Sequence, residues 1–282
     1  MTSHLVILGN EIATQDLKQL AKISRADMIQ AINPKAFRLT HAQDDSHAEV
    51  AAYCEQAQLD FGFVKTTQSL TDIGLVVMDM DSTLINIECI DEIADFAGIK
   101  PQVSEVTEAA MRGEIDFKES LTRRVALLKG LDAGALEHVY AERLNINPGG
   151  ELMLKTLQKH GVKTLLVSGG FTFFTERLQK RLGLDYAHSN LLEIVDGKLT
   201  GKVASEILDA QGKADKLNEV RGKLGLRKEQ VIAMGDGAND LKMMAEAGYS
   251  IAYHAKPVVR AQASYAFNHV GLDGLLGLFA PQ

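Results

Sequence analysis

The sequence predicts an α/β protein, with a parallel sheet covered by helices, a helical insertion after the first strand of that sheet and a small α+β unit ahead of it. Three observations carry this. From about residue 72 onward, apolar runs ("GLVVM", "VKTLLV", "QVIAM", "YSIAY") alternate with stretches of helical periodicity. Strands that are apolar on both faces belong in parallel sheets buried under helices. Asp79 and Ser168, which end the first two runs, lie about three times farther apart than the ~30 residues of a βαβ crossover. Residues 1–70 follow a different order of strand, helix, two strands, helix and strand. The whole reads as a Rossmann-like core with a cap and an N-terminal α+β domain.

In chain order, Leu5 to Leu8 is a short strand, and Ala13 to Ile23 has helical spacing through Leu17, Leu20 and Ala21. Apolar or mixed stretches follow around Ala26 to Ile32 and Ala36 to Thr40. "DDSHAEVAAYCEQAQLD" reads as a helix capped by Asp45 or Ser46, and "FGFVKT" as a returning strand. This βαββαβ order has no catalytic cluster and suggests a ferredoxin-like or regulatory domain over 1–70. The core is expected over 71–85 and 148–282, and the cap over 86–147, where "CIDEIADFAGI", "FKESLTRRVALLKGL" and "GALEHVYAERL" have helical spacing. In the core, helices are expected within 149–160 and 171–183 and over "KADKLNEVRGKLG". "LLEIVDGKLTGKV" reads as a hairpin turning at Asp196-Gly197, and Tyr265 to Phe267 as an edge strand.

Composition narrows the function. Apolar content of 46% and charged content of 24% are those of an ordinary globular protein. A net charge of -7 argues against a nucleic-acid surface and against attraction to anionic membrane. Cys54 and Cys89 form neither a disulfide framework nor a zinc set. The N-terminal "MTSHLVILGNE" lacks a basic region, and no run approaches the ~18 apolar residues of a membrane span. A cytoplasmic protein is expected.

Ligands bind outside the carboxyl ends of open parallel sheets. Three such ends here carry unusual residues: Asp79 with Asp81, Ser168-Gly169-Gly170, and Asp236 with Asn239 and Asp240. Acids converging near a core imply a cation between them, and all-oxygen ligation suits Mg2+. Ser168 and the two glycines fit an anion such as phosphate, as a hydroxyl beside a backbone nest. The missing positive charge is assigned to Lys213, opening a helix after Gly212. A carboxylate beside Mg2+ and a lysine can attack phosphorus, and a second acid two residues on can protonate the leaving alkoxide.

"DMDST" at 79–83, "SGG" at 168–170, Lys213 and "GDGAND" at 235–240 resemble the four motifs of the haloacid dehalogenase superfamily, in order and spacing. Within it, the helical insertion is similar to the cap of phosphoserine-hydrolysing members. The resemblance implies Asp79 as nucleophile, Asp81 as general acid/base, and Ser168, Gly169 and Lys213 as phosphate ligands. It implies Mg2+ held by the side chains of Asp79 and Asp236 and by the backbone carbonyl of Asp81. Asp240 and Thr83 would order the metal shell, and Asn239 would contact substrate. In the cap it implies Glu88 for a substrate ammonium, Arg124 for its carboxylate, and Met111 and Phe117 as an apolar lid. Asp91 and Glu92 compete with Glu88, and Arg123 with Arg124, on composition alone.

The implied activity is Mg2+-dependent hydrolysis of O-phospho-L-serine, the last step of serine biosynthesis. Another small phosphomonoester, such as phosphohomoserine or phosphoethanolamine, is the alternative substrate, and a non-catalytic metabolite sensor is the alternative class. The expected partner is the small-molecule substrate, without nucleic acid or membrane, and a homodimer is the candidate assembly.

Overall fold

A computed structural model of the chain describes residues 3–281. The N-terminal elements are β1 (Ser3–Leu8), α1 (Thr14–Ser24), β2 (Met28–Asn33), β3 (Ala36–Ala42), α2 (His47–Ala57) and β4 (Asp60–Lys65). They form an antiparallel sheet of order β2-β3-β1-β4, the ferredoxin-like arrangement expected from the element order. The backbone of Ser46 caps α2, and the Ser46 hydroxyl donates to the Gln43 carbonyl. Asp45 instead pairs with Arg25.

All six residues of β1 are buried, which accounts for its unbroken apolar run. Side chains alternate across a strand, so Leu5 and Ile7 pack on Leu17, Leu20 and Val50 beneath α1 and α2. Val6 and Leu8 point the other way, into a cluster shared with Tyr265, Phe267, Leu275 and Leu278 near the C-terminus. Polar contacts reinforce this junction. The Asp60 carboxylate accepts the N–H groups of Asn268, His269 and Val270 at 2.9, 2.8 and 2.9 Å. Arg38 donates to the carbonyls of Ala280 and Pro281, each at 2.9 Å.

The remaining chain begins with β5 (Leu75–Met78), followed by the insertion α3 (Cys89–Phe96), α4 (Lys100–Met111), α5 (Phe117–Leu127) and α6 (Gly134–Glu142). Then come α7 (Gly150–Lys159), β6 (Lys163–Phe171), α8 (Thr172–Leu182), β7 (Tyr186–Asn190), β8 (Leu192–Val195) and β9 (Lys198–Val203). The chain closes with α9 (Ala210–Lys223), β10 (Val231–Gly235), α10 (Leu241–Ala245), β11 (Tyr249–Tyr253), α11 (Pro257–Arg260), β12 (Tyr265–Phe267) and α12 (Gly274–Leu278).

Six of these strands form a parallel sheet of order β12-β11-β10-β5-β6-β7. β5 lies between β10 and β6, so the residues after Met78, Val167 and Gly235 meet at one edge. Val76 and Met78 face one apolar cluster while Leu75 and Val77 face another, as a strand covered on both sides requires. The edge strand β7 has no apolar period in the sequence, because its residues are mostly half-buried. α4 had no separate expectation either, since its only fully buried residue is Val103.

The hairpin β8–β9 turns at Asp196 and Gly197, both at positive φ (50° and 74°), as a two-residue turn of this kind demands. It is also tied to the insertion. Gly130 N–H donates to Leu199 O and Ala133 N–H to Gly197 O, each at 2.8 Å. Among the described residues, no helix is long and apolar enough to cross a membrane.

Candidate active site

The strand ends meet beneath the helical insertion around a cavity of about 560 Å³. It is lined by Asp79, Asp81, Gly169, Gly170, Lys213, Asp236 and Asn239 from the sheet side, and by Glu88, Met111, Phe117 and Arg124 from the insertion. Thus residues assigned from four separated segments of sequence lie in one place. Ser168 and Asp240 are fully buried just behind its wall.

β5 delivers Asp79 rigidly. Its Oδ1 accepts the Met80 N–H at 2.8 Å and lies 2.7 Å from Lys213 Nζ. The other oxygen, Oδ2, has no protein hydrogen bond among the described residues. Past Asp79 the chain makes one wide turn, Met80–Leu84, broken at Asp81 and passing through positive φ (55°) at Ser82. A non-glycine residue there is strained, and such strain persists where the surroundings enforce it. The turn points Asp81 back over the crevice, where its Oδ1 accepts the Cys89 N–H at 2.9 Å. Asp81 approaches Gly170 so closely that a Cβ at that position would lie 2.8 Å from Asp81 Oδ2.

Lys213 is 1% exposed and sits in the first turn of α9. The helix begins three residues before the lysine, at Ala210, because Asp209 caps it by accepting the Gly212 N–H at 2.9 Å. This corrects the reading in which Lys213 opens the helix. Its ammonium bridges Asp79 Oδ1 at 2.7 Å and Asp240 Oδ1 at 2.8 Å. Asp240 Oδ2 also accepts the Gly237 N–H at 3.2 Å, fixing the loop after β10. Thr83 donates to Asp236 Oδ1 at 3.3 Å.

The electrostatics are unbalanced. Burial, then the charge of Asp240, holds the Asp79 carboxyl well above its ordinary range despite Lys213. Burial, and then Glu88, pushes Asp81 up to about 7. Burial with Asp240 raises Asp236 to about 6. Burial works against the Lys213 ammonium, yet Asp240 and Asp79 outweigh it and hold its pKa above the usual lysine value. One buried lysine faces several buried or half-buried acids, so the crevice is built for a further positive charge. Carboxylate oxygens of Asp79, Asp236 and Asp240 all lie within 4.8 Å of one another, an all-oxygen donor set that suits a hard divalent cation.

The insertion side differs in which of its charged residues face the cavity. Arg123 is exposed and paired with Glu119 at 2.5 Å, while Arg124 turns inward with a buried Nε that has no partner among the described residues. Glu92 is occupied by Arg143 at 2.6 Å. Glu88 opens onto the cavity and accepts the Ser82 hydroxyl at 2.6 Å. Its carboxyl is raised, mainly by the protein that surrounds it. Asp91 also lines the cavity, so it remains beside Glu88 as a second acid. Phe117 lies against Gly169, where a Cβ would come within 2.9 Å of its ring. Met111 lines the cavity but is 69% exposed, at its outer lip.

Some groups had no sequence signal. Asn147 donates to the carbonyls of Thr83 and Ile85 at 2.8 and 3.0 Å, bracing the turn that carries Asp81. Lys118 pairs with Asp209 at 3.3 Å, linking the insertion to the start of α9. Lys256 brings a second lysine to the cavity lining. Each is a common surface residue type in a loop or helix, and only its tertiary neighbours distinguish it.

A family model for haloacid dehalogenase-like hydrolases matches residues 73–248. The chain belongs to this family. Residues 5–50 match a domain of unknown function, DUF4072. A phosphoserine phosphatase of Polaromonas sp. (strain JS666) is 56% identical over 214 residues, covering 74% of this chain and 91% of that protein. The crystal structure of a hydrolase of the same family from Salmonella enterica subsp. enterica serovar Typhi superposes with a TM-score of 0.91 at 33% identity. That match covers 100% of this chain and 99% of the other, so the N-terminal arrangement recurs with the core. A phosphoserine phosphatase captured as a phospho-aspartyl intermediate analogue matches with a TM-score of 0.68 at 39% identity, covering 72% of this chain and 97% of that one. In this haloacid dehalogenase-like chain the four motifs therefore lie within the matched segment.

Proposed function

We propose that the chain hydrolyses O-phospho-L-serine to L-serine and phosphate through a phosphorylated Asp79, with Mg2+ as the metal. The observation that carries this is the pairing of a reactive carboxylate with an amphoteric pocket. Asp79 shares one cavity with Glu88 and with Arg124, whose Nε lacks a partner among the described residues. The similar phosphoserine phosphatase of Polaromonas and the phospho-aspartyl structure support the same reading.

In the first step Asp79 Oδ2 attacks phosphorus, an Asp79–phosphorus bond forms, and the bond from phosphorus to the seryl oxygen breaks. Asp81, whose carboxyl is held near 7 by burial, carries the proton given to the departing alkoxide. Water then attacks the same phosphorus from the face vacated by serine. Asp81 takes the proton, phosphate departs and Asp79 is regenerated. Lys213 favours the ionised form of Asp79 against the burial that opposes it and would offset charge on the phosphoryl oxygens, with Ser168 and Gly169 as further phosphate ligands. Asp79, Asp236 and the backbone of Asp81 would hold Mg2+, with Asp240 and Thr83 ordering its surroundings. The ion would neutralise phosphoryl charge as a Lewis acid.

Glu88 would take the substrate ammonium and Arg124 its carboxylate, with Phe117, Met111 and Asn239 closing the pocket. We assign residues 71–85 and 148–282 to catalysis, 86–147 to substrate selection and 1–70 to an accessory role. A cytoplasmic location fits the acidic chain and its metabolite substrate. The test is phosphate release from a panel of small phosphate esters with and without Mg2+. Preferential, Mg2+-dependent turnover of phosphoserine is expected. Equal rates on phosphoethanolamine, or no release from any ester, would overturn the assignment.

A further inference from the structure

Ser168 and Gly169 lie in a stretch that should be poorly defined on its own. Two consecutive glycines have more backbone freedom than any other pair of residues. Yet the hydroxyl of Ser168 is already committed on one side, because Oγ accepts the Gly170 N–H at 2.8 Å. A hydroxyl has one proton. With a lone pair occupied by that N–H, the Ser168 proton is left for another acceptor.

The direction of the Gly170 N–H is set from outside the loop. Asn190, the last residue of β7, is 0% exposed. Its Nδ2 donates to the Gly169 carbonyl at 2.8 Å. Its Oδ1 accepts the Leu208 N–H at 2.7 Å. The two neighbours fix the amide's orientation, since one can only accept and the other can only donate. The Gly169 carbonyl and the Gly170 N–H belong to one planar peptide and point in opposite directions. Anchoring the carbonyl on Asn190 therefore aims the N–H at Ser168 Oγ. The other end of the clamp is firm, because Leu208 directly precedes Asp209, the cap of α9.

We infer that Asn190 is a positioning residue for phosphate. Through the Gly169–Gly170 peptide it sets the Ser168 hydroxyl as a donor, and it does so without touching the substrate. This rests on the reading of Ser168 as a phosphate ligand. Aspartate at this position would lose the donor and leucine would lose both functions, leaving the Gly169 carbonyl buried without its partner.

The test measures inhibition constants for inorganic phosphate and for L-serine on the full-length, Mg2+-supplied protein. Four forms are compared: wild type, Asn190→Ala, Ser168→Ala and the double variant. Asn190→Ser replaces Asn190→Ala if the latter does not fold. Loss of one oriented hydrogen bond should raise the phosphate constant by roughly fivefold to tenfold in Asn190→Ala. The L-serine constant should stay within about twofold of wild type, because serine binds the insertion side. In the Ser168→Ala background the Asn190 change should add less than about twofold. Additive effects of the two substitutions, or equal weakening of phosphate and serine, would overturn the proposal. An unchanged phosphate constant in Ser168→Ala would instead overturn the assignment of Ser168 itself.

Discussion

Among the described residues, buried carboxylates occur at two places, and they are treated in opposite ways. Asp60, at the junction between the N-terminal sheet and the C-terminal segment, is 2% exposed and accepts three backbone N–H groups. The protein itself supplies what that charge needs. In the crevice, the buried Asp79 and Asp240 and the half-buried Asp81 and Asp236 lie near a single buried lysine, and Asp79 keeps one oxygen without a protein partner among the described residues. A carboxylate that is fully satisfied by its own chain acts as a fastener. A cluster left short of positive charge stores an unfavourable interaction that a ligand can relieve.

The contrast is sharpest in the response to substitution. Asp79→Asn should lower phosphoserine turnover by roughly 10^4-fold or more while the protein still folds, because the nucleophile is lost and a charge that cost stability goes with it. Near wild-type phosphate release would mean that water attacks directly. Asp81→Asn should reduce kcat by about 10²- to 10⁴-fold, the usual range for a general acid/base. A burst of phosphorylated protein in rapid-quench experiments would locate that loss in either half-reaction.

Arg124→Ala should cost roughly 10- to 100-fold in kcat/KM on phosphoserine, as expected for charge-assisted hydrogen bonds. Phosphoethanolamine has no carboxylate to lose, so its turnover should barely change. A comparable loss on both esters would show that Arg124 supports the fold of the insertion and not the substrate.

Asp60→Ala should behave in the opposite way. One buried and two partly buried N–H groups lose their acceptor, which should cost about 3 kcal/mol in stability by chemical denaturation. The kinetic constants should remain within about twofold, since the junction shares no partners with the crevice. Last and smallest, Asp236→Asn should raise the melting temperature of chelator-treated protein. The folded-state carboxyl of Asp236 is raised to about 6. It therefore favours folding while protonated and loses that advantage as pH climbs from the ordinary carboxylate range through 6. The gain from Asn should grow over that interval and disappear when a divalent cation is added. A melting temperature that drops in Asp236→Asn would place this residue with Asp60, as a fastener.

Much of the fold was legible because apolar patterning is local. The β5, β6, β10 and β11 runs announce strands covered on both faces, and the long interval after Asp79 announces an insertion. β7 escaped because a half-buried edge strand has no apolar period to read. The catalytic candidates were legible because acids and glycines at the ends of buried strands are costly or conformationally unusual wherever they occur. Arg124 could not be separated from Arg123 on composition, since adjacent residues on a helix differ only in which way each points.

The sequence by itself determined the element types, the three converging strand ends and the chemistry that paired carboxylates can perform. These follow from hydrophobic period, residue charge and chain order. Tertiary structure alone decided which acids share Lys213, that β1 belongs to two cores at once, and that Asn190 reaches across to the Gly169 carbonyl. Those facts depend on contacts between residues far apart in the chain. Hydrogen-bond direction and burial are properties of the assembled neighbourhood, and no local pattern encodes them.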